Sequence, residues 1–502
     1  MKDRSVQYPK RYRLTKIPGT DDIYDLDPAP GEITEEGTLI NKGTLLSDET
    51  AAALDLGTDA VPDDALKALL PKIGDIRVTA RTDLNDTWLL CNGDQISSTD
   101  YPELSGVLSN FFEYKHFEYK EETFGTAGGS ASASIAAMTC ADGYWAACIS
   151  RTIAVGSNSQ KTISVAYATS LGGPWTIKDL TYSFNVSPTS IIHANGYWVV
   201  TGRTVTLNSS NQNQYNAAIF YATSLDGNWS HKFIWSNTNE SNRVQDIAYA
   251  NGYWVVCGNR YTNIYCTSIA YATSPDGIWT TKDLIDYGAS YDSANCITYA
   301  DGYWVVGGSY YYNSSYAYGC VWYATSPGDT WTKNSIWSGT SNANNFVKSI
   351  AYADGMWVVG GRKSGEAYIG YGPNPSGFST KKMWFNVSNS TYEAIRAIAY
   401  ADGYWVVAGT HFDSSTNAVY VQVGFSPNPG GTWGTKELWS NTNQISYIYP
   451  NDITYAADTL VICGSGFNTT LNMVLPCISY TNGINLPAIS NDLYTYIKAK
   501  EG

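Results

Sequence analysis

The chain has 502 residues, of which 43% are hydrophobic and 15% are charged, so it is not mainly disordered and is long enough for several domains. A net charge of −14 argues against a nucleic-acid partner, because binding to a phosphate backbone needs a basic surface. The sequence has no run of about 18 apolar residues and no apolar signal core at its N-terminus, which predicts neither membrane insertion nor secretion. The 45 glycines and 40 tyrosines are typical of β-structure with many turns.

Residues 1–71 are predicted to form an attachment region with two short helices. Ser47 suits the N-cap of the first helix, which ends at Gly57, and Pro62 begins the second. Two helices of this size cannot form a large core alone, so they need a partner surface. The strings EGTLIN (36–41) and LLSDET (45–50) resemble the N-terminal part of tail-fibre proteins from phages of Gram-positive bacteria. This resemblance implies attachment to the tail tip or baseplate.

Residues 72–111 are predicted to be the first part of a small α+β module. The string TWLLCNG (87–93) is followed by DYPEL (100–104), in which Asp100 suits a helix N-cap. These strings resemble the phage tail-collar family, which continues to an Asn-Leu-Pro segment and usually ends in a Tyr-Ile-Lys strand. The matching segments here lie in residues 485–502. The resemblance therefore implies that residues 112–484 are inserted into a tail-collar-like module.

Residues 112–484 contain a repeat whose typical form is ADGYWVVGG. The shared tryptophan recurs every 48–56 residues, close to the length of a four-stranded propeller blade. Each unit has two β-rich runs around an Asn-Gly or Asp-Gly turn, the strongest hairpin signal, and then two more runs. The sequence therefore predicts a mainly β fold with a seven-bladed β-propeller. The shared positions are Trp145, Trp198, Trp254, Trp304, Trp357, Trp405 and, in a degenerate last copy, Leu460.

The last two strands of a unit flank a Ser-x-Asp-Gly-x-Trp turn, as in Ser224–Trp229 and Ser274–Trp279. This turn resembles the Asp-box of sialidase-like propellers, although it is one residue shorter. In that family the box is structural and lies away from the active site, so it supports the fold and says little about chemistry. The Gly-Tyr-Trp aromatics are predicted to pack between blades, with ligand binding as the weaker alternative. The Asp-Gly turns are interpreted as hairpin geometry and not as calcium ligands.

The nine cysteines form no CxxC pair, which argues against a zinc ribbon. Cys257 and Cys266, and likewise Cys463 and Cys477, could face each other across hairpins. Because no secretion is predicted, buried free thiols are favoured over disulfides. The sequence has no P-loop, dinucleotide fingerprint or EF-hand loop, and it predicts no cofactor and no metal site.

The seventh unit lacks an obvious fourth strand. Residues 112–120 are predicted to fill that place, so that the N-terminal side of the insert closes the ring; the alternative closing segment is 485–493. N-terminal closure places the entry and exit of the chain on the face of the short turns. The long connections would then point away from the tail-collar-like module.

The short turns make one propeller face uniform, whereas the connections between second and third strands, such as 203–215 and 309–318, differ in every unit. They are rich in Tyr, Asn and Ser, and variable loops on a rigid scaffold are where binding usually occurs. The candidate receptor-binding residues on this variable face are Arg203, Arg260, Tyr261, Tyr310, Tyr311, Tyr312, Tyr316, Arg362, His411 and Tyr447.

These features favour a tail-fibre adhesin, made in the host cytoplasm and located in the virion, that binds a bacterial surface glycan. The tail-fibre resemblance also implies a homotrimer. The alternatives are a glycan hydrolase and a structural spacer, and uniform loops on both faces would favour the spacer. Sialidase chemistry needs several arginines, a Tyr–Glu pair and an acidic Asp, and the propeller has few arginines and glutamates. The sequence analysis therefore predicts no enzymatic activity and no catalytic residue.

Overall fold

The computed structural model describes most of the repeat region, in thirteen stretches, and short segments on either side of it. The described residues are 12–16, 24–28, 76–79, 88–90, 95–96, 101, 104, 115–121, 132–155, 158–180, 187–238, 242–262, 265–284, 293–313, 316–340, 345–384, 393–413, 418–440, 445–468, 473–485 and 494–498. The chain forms two compact units, one from residues 1–116 with 483–502 and the other from residues 117–482. The described part contains no helix long and apolar enough to cross a membrane.

The first unit contains two small sheets. Its strands are β1 (Tyr12–Lys16), β2 (Tyr24–Pro28), β3 (Ile76–Thr79), β4 (Trp88–Leu90), β5 (Gln95–Ile96) and β34 (Tyr494–Lys498). Strands β1 and β2 form an antiparallel pair, and β34 lies between β3 and β4. The last strand of the chain thus pairs with two strands about 400 residues earlier, as expected for a module that receives an insertion. The predicted helices at 47–57 and 62–70 lie outside the described residues, and the likeness to a tail collar stays a prediction.

The second unit is a seven-bladed propeller, as predicted. Its strands, from blade 1 to blade 7, are β7 (Ala133–Ala141), β8 (Tyr144–Val155), β9 (Asn158–Ala168) and β10 (Thr176–Asp179); β11 (Ser187–Ala194), β12 (Tyr197–Leu207), β13 (Asn213–Ala222) and β14 (Ser230–Asn237); β15 (Arg243–Ala250), β16 (Tyr253–Tyr261), β17 (Tyr265–Ala272) and β18 (Thr280–Asp283); β19 (Ser293–Ala300), β20 (Tyr303–Asn313), β21 (Tyr316–Ala324) and β22 (Thr332–Thr340); β23 (Phe346–Ala353), β24 (Met356–Lys363), β25 (Glu366–Asn374) and β26 (Gly377–Lys382); β27 (Ala394–Ala401), β28 (Tyr404–Asp413), β29 (Ala418–Ser426) and β30 (Gly434–Ser440); and β31 (Ile445–Ala456), β32 (Thr459–Asn468), β33 (Met473–Asn485) and β6 (Lys115–Glu121).

Blades 1 to 6 are four-stranded antiparallel sheets whose strands follow one another in chain order. In blade 7, β31, β32 and β33 come from the end of the repeat region, and β6 pairs with β33 in the place of the fourth strand. The short strand β5 also pairs with the end of β33, at Ile484 and Asn485. The predicted closure of the ring by residues 112–120 is therefore confirmed. A side-chain contact supports this pairing, because Lys436 of blade 6 lies 5.6 Å from the ring centroid of Phe117. How the variable face is oriented relative to the first unit stays a prediction.

The hairpin turns and the repeated tryptophans behave as predicted. Asp301 and Gly302 both have positive φ, 48° and 78°, which the tight turn between the first two strands requires. Trp254 is fully buried and packs with Val199 of blade 2 and Val244 of its own blade. The repeated aromatic positions therefore fill the interfaces between neighbouring blades.

The connections predicted as loops in blades 2 and 4 are largely strands. β12 and β13 extend to Leu207 and from Asn213, and β20 and β21 leave only two residues between them. The prediction of long loops at 203–215 and 309–318 is wrong, because the Tyr- and Thr-rich sequence continues the ladder. The cysteines agree with the sequence analysis: the eight in the described part are free, and seven of them are buried.

Candidate functional site

The first strand of every blade contains a register shift at the same place, and that of blade 7 has a second one nearer its start. The residue skipped by the pairing is an extra residue in the ladder, and such a bulge re-aims its side chain. Each of these residues lies six positions before the first residue of its turn. We call this set the axial ring. Its members, from blade 1 to blade 7, are Ala136, Thr189, Gln245, Asn295, Lys348, Arg396 and Asn451.

Some members of the axial ring join neighbouring blades. The side chain of Asn295 donates a hydrogen bond to the carbonyl oxygen of Val347 at 2.8 Å, and Asn451 donates to that of Ile135 at 2.6 Å. Thr189 makes the corresponding bond, at 2.9 Å, to the next blade. Each acceptor is the residue just before the bulge of the following blade. These contacts fix the inner strands around the axis.

The residues after the bulge in blades 3 and 7 are half-buried carboxyl groups. Asp246 accepts hydrogen bonds from the backbone N–H groups of Ile247 and of Ile297 in blade 4, at 2.8 and 2.9 Å. Asp452 accepts from Ile453 and from Met138 of blade 1, at 2.9 and 3.1 Å. Burial raises the pKa of both groups, that of Asp452 to about 7. Their role is to join blades.

A pocket of about 360 Å³ opens along the axis, and most of the axial ring lines it. Lys348 of blade 5 and Arg396 of blade 6 are its two cations, and burial lowers the pKa of each. The Arg396 guanidinium lies 4.7 Å from the ring centroid of Tyr449. The described lining contains no carboxyl group. Its polar and aromatic members are Ser134, Thr189, Gln245, Lys348, Arg396, Tyr449, Asn451 and Ser465.

This combination suits an acidic sugar. Lysine and arginine bind a carboxylate through charge-assisted hydrogen bonds. Amide and hydroxyl groups can bind sugar hydroxyls, and an aromatic ring offers an apolar face to the CH groups. The pocket therefore has the chemistry to hold one negatively charged monosaccharide.

A second charged group of residues lies between blades 5 and 6. Glu393 is 3% exposed, and its Oε1 lies 3.7 Å from Nδ1 of His411. Burial raises the pKa of Glu393 to about 7, although a hydrogen bond from the Phe412 N–H and the nearby Arg362 and Lys382 oppose that rise. Lys382 itself binds Glu366 at 2.6 Å.

The structure brings together two of the predicted site residues, Arg362 and His411, around Glu393. The others are distributed over blades 2, 3, 4 and 7 and form no single cluster with them. Arg260 binds Asp283 of its own blade at 2.5 Å, and Arg203 lies 5.7 Å from the ring of Tyr215. Tyr261 and Tyr311 are half-buried, and Lys333 lies 3.3 Å from the ring of Tyr310. Tyr312, Tyr316 and Tyr447 lie on β20, β21 and β31, and their side chains are outside the described part.

The sequence analysis missed the axial pocket. A signal was available, since the position six residues before each turn reads Ala, Thr, Gln, Asn, Lys, Arg and Asn, a polar column inside otherwise apolar strands. Among the described residues, no group of three or more His, Cys, Asp or Glu side chains is arranged to hold a metal ion.

No protein-family model and no curated protein sequence matches the chain. Similar solved structures include a phage phi92 endosialidase, with 9% identity, a TM-score of 0.44 and coverage of 75% of this chain and 70% of that one. A Trypanosoma rangeli sialidase in complex with sialic acid has 10% identity, a TM-score of 0.39 and coverage of 74% and 58%. An exo-1,5-α-L-arabinanase from a bovine ruminal metagenomic library has 10% identity, a TM-score of 0.30 and coverage of 47% and 90%.

These likenesses concern the propeller fold, and the chain spans less than two thirds of the length of the sialidase. They nevertheless correct one prediction. The sequence analysis predicts that the chain is not an enzyme, and this is wrong as an inference from its fold, because the similar structures are those of an endosialidase, a sialidase and an arabinanase. The chain has a seven-bladed propeller with a pocket at its axis that contains two cationic side chains.

Proposed function

We propose that this chain is a phage tail-fibre adhesin whose propeller binds an acidic glycan of the bacterial surface in the axial pocket. The observation that carries the proposal is the placing of Lys348 and Arg396 in one pocket by equivalent bulges of adjacent blades. Asp246 and Asp452 interact with Lys348 through charge, but neither lines the pocket, so the two cations that line it favour an anionic ligand. The tyrosine, amide and hydroxyl groups beside them fit the rest of a sugar.

The tail-fibre part of the proposal depends on the two flanking segments. The N-terminal strings resemble those of tail fibres, and the sequence segments assigned to a tail-collar-like module form one three-stranded sheet. In this proposal residues 1–71 attach the chain to the tail tip or baseplate, the chain is a homotrimer, and the propeller presents its pocket to the host surface.

Hydrolysis of the bound glycan is the second candidate function, and Glu393 favours it. With a pKa of about 7, a large share of this carboxyl group is protonated at neutral pH, as a general acid for glycoside cleavage must be. Glu393 comes immediately before the strand that carries Arg396, three residues earlier in the sequence. Glu393 does not line the axial pocket, so hydrolysis requires the glycan to extend from the pocket to the interface of blades 5 and 6.

The test is calorimetric titration of the full chain with N-acetylneuraminic acid, glucuronic acid and galacturonic acid, with glucose and galactose as neutral probes. We expect acidic sugars to bind and neutral ones not to bind. Lys348→Gln or Arg396→Gln should weaken binding about 10–100-fold, because each removes a charge-assisted hydrogen bond. Lys161→Gln, at an exposed position of blade 1, is the matched control and should leave affinity unchanged.

Equal binding by the wild type and both pocket variants would overturn the proposed site. Release of reducing ends from α-linked sialic acid and galacturonic acid oligomers is followed in parallel. Turnover that Glu393→Gln abolishes, with binding retained, would select the hydrolase over the adhesin.

A further inference from the structure

Among the described strands, the hairpin formed by the second and third strands of a blade is shortest in blade 5. β24 ends at Lys363, six residues after Trp357, whereas the second strands of the other blades extend seven to ten residues beyond the equivalent position. A two-residue turn closes the blade 5 hairpin, with φ of 51° at Ser364 and 87° at Gly365. A ligand longer than one sugar therefore meets the least obstruction by a hairpin on this side.

The two cations of the pocket lie on the same side. Lys348 is the bulged residue of β23, and Arg396 is the equivalent residue of the next blade. A carboxylate held by both cations would be drawn toward the interface of blades 5 and 6. The next unit of the ligand would then continue over blade 5.

The outer strands of blade 5 present cations and an aromatic ring at this end. Nζ of Lys363 lies 4.9 Å from the ring centroid of Tyr368, and Tyr368 pairs with Lys382 across β25 and β26. Lys363, Tyr368 and Lys382 are all partly exposed. We call these three residues the blade 5 strip. Buried Arg362 lies on the same strand as Lys363 and close to the carboxyl group of Glu393.

The charge of the blade 5 strip is not balanced as it is in other blades. In blades 1 and 3 the arginine at the corresponding end of the second strand binds an aspartate of the fourth strand: Arg151 binds Asp179 at 2.7 Å, and Arg260 binds Asp283 at 2.5 Å. In blade 5, Glu366 binds Lys382. The buried carboxyl group of Glu393 lies near Arg362 and offsets its charge. Lys363 differs from Arg151 and Arg260 because the fourth strand of its blade carries Lys382 at the place of the aspartate, pairing with Tyr368 as Asp179 pairs with Ser164.

We propose that the blade 5 strip is a second subsite, which holds the next charged sugar of an acidic oligosaccharide whose first sugar lies in the axial pocket. This inference rests on the proposed function and specifies its ligand as a chain with at least two charged units. Strands in a sheet lie about 4.8 Å apart, so the strip lies about 5–14 Å outward from β23. A di- or trisaccharide spans such a distance.

The experiment compares monomers with oligomers on the full chain. The probes are N-acetylneuraminic acid with its α2,8-linked trimer, and galacturonic acid with its α1,4-linked trimer. For the acid that binds, the trimer should bind wild type at least about fivefold more tightly than the monomer. Lys363→Gln should remove most of that gain and leave the affinity for the monomer unchanged, whereas Lys363→Arg should retain it. Lys161→Gln is the control with an equal loss of charge elsewhere.

The two proposals fail in different ways. If a monomer binds but its trimer binds no more tightly, or if Lys363→Gln weakens monomer and trimer equally, the blade 5 subsite is overturned and the axial pocket stands. If neither monomer nor trimer binds wild type, the proposed function itself is overturned. A circular dichroism spectrum and melting temperature equal to those of wild type confirm that each variant is folded.

Discussion

Glu393 occupies in blade 6 the place that Asn345 occupies in blade 5. Each residue comes immediately before the first strand of its blade. Each accepts a hydrogen bond from a backbone N–H near the end of the second strand, Glu393 from Phe412 and Asn345 from Ser364. The Asn345 amide also donates to the carbonyl oxygen of Ala317 in the preceding blade at 3.1 Å. An ionised carboxylate cannot donate such a bond, whereas a protonated one can.

Replacing Glu393 by Gln should remove part of the pH dependence of stability. The pKa of Glu393 is about 7 in the folded chain and near 4.5 ordinarily, so the folded state binds the proton more tightly. The contribution of this group to the free energy of unfolding is therefore greatest below about pH 4.5. It decreases by about 3 kcal/mol in total as the pH rises toward 7. Urea denaturation of wild type and Glu393→Gln from pH 4.5 to 8 measures the difference. Equal pH slopes for the two proteins would contradict this assignment.

Removing the Asp452 carboxyl group should weaken the contact between blades 7 and 1. Asp452→Ala leaves the N–H groups of Met138 and Ile453 without their acceptor, and we expect a loss of about 2–3 kcal/mol in the free energy of unfolding. Asp452→Asn keeps one acceptor oxygen and is the matched control, with a smaller loss. A loss for Ala no greater than that for Asn, measured in urea at pH 8, would show that the carboxyl group does not join the blades.

Weakening β6 should loosen the last blade more than the others. Phe117→Ala removes the ring that lies beside Lys436, whereas Phe117→Leu keeps most of the apolar volume. We expect amide hydrogen exchange in β33 to become at least about tenfold faster in the alanine variant and to change little in blades 2 to 4. Uniform acceleration over all blades, or none, would argue against ring closure by β6.

The chain should be a homotrimer whose multivalency raises its apparent affinity. A cyclic trimer closes without open ends, and three tethered sites can increase avidity by roughly 10²–10⁴ over one site. Light scattering of the full chain should give three times the mass of one chain. Surface-bound acidic glycan should retain the trimer far longer than soluble monosaccharide affinity predicts. A monomer in solution would sink this prediction.

The propeller could be predicted because its fold depends on residues that recur in register, whereas its site depends on residues that differ. Trp254 and its equivalents occupy the same position in each blade and are buried there. Asp301-Gly302 indicates a turn because both residues tolerate a positive φ. Lys348 and Arg396 each look like an isolated polar residue in an apolar strand. Only the bulge turns them toward the axis, and the sequence of a single strand does not indicate that register shift. The polar column becomes visible only when the seven repeats are aligned on their turns. The charge of Arg260 is neutralised by Asp283 of the same blade, so charge alone does not identify a binding residue.

At the bulges of the innermost strands, the side chain that meets a ligand is independent of the strand pairing that builds the ring. A bulged residue is extra to the ladder, so its side chain can change while every strand pairing is kept. Thr189, Asn295 and Asn451 use this position to hold the next blade. Gln245, Lys348 and Arg396 direct other chemistry into the pocket. Single substitutions at these positions can therefore change which ligand the pocket accepts without rebuilding the scaffold.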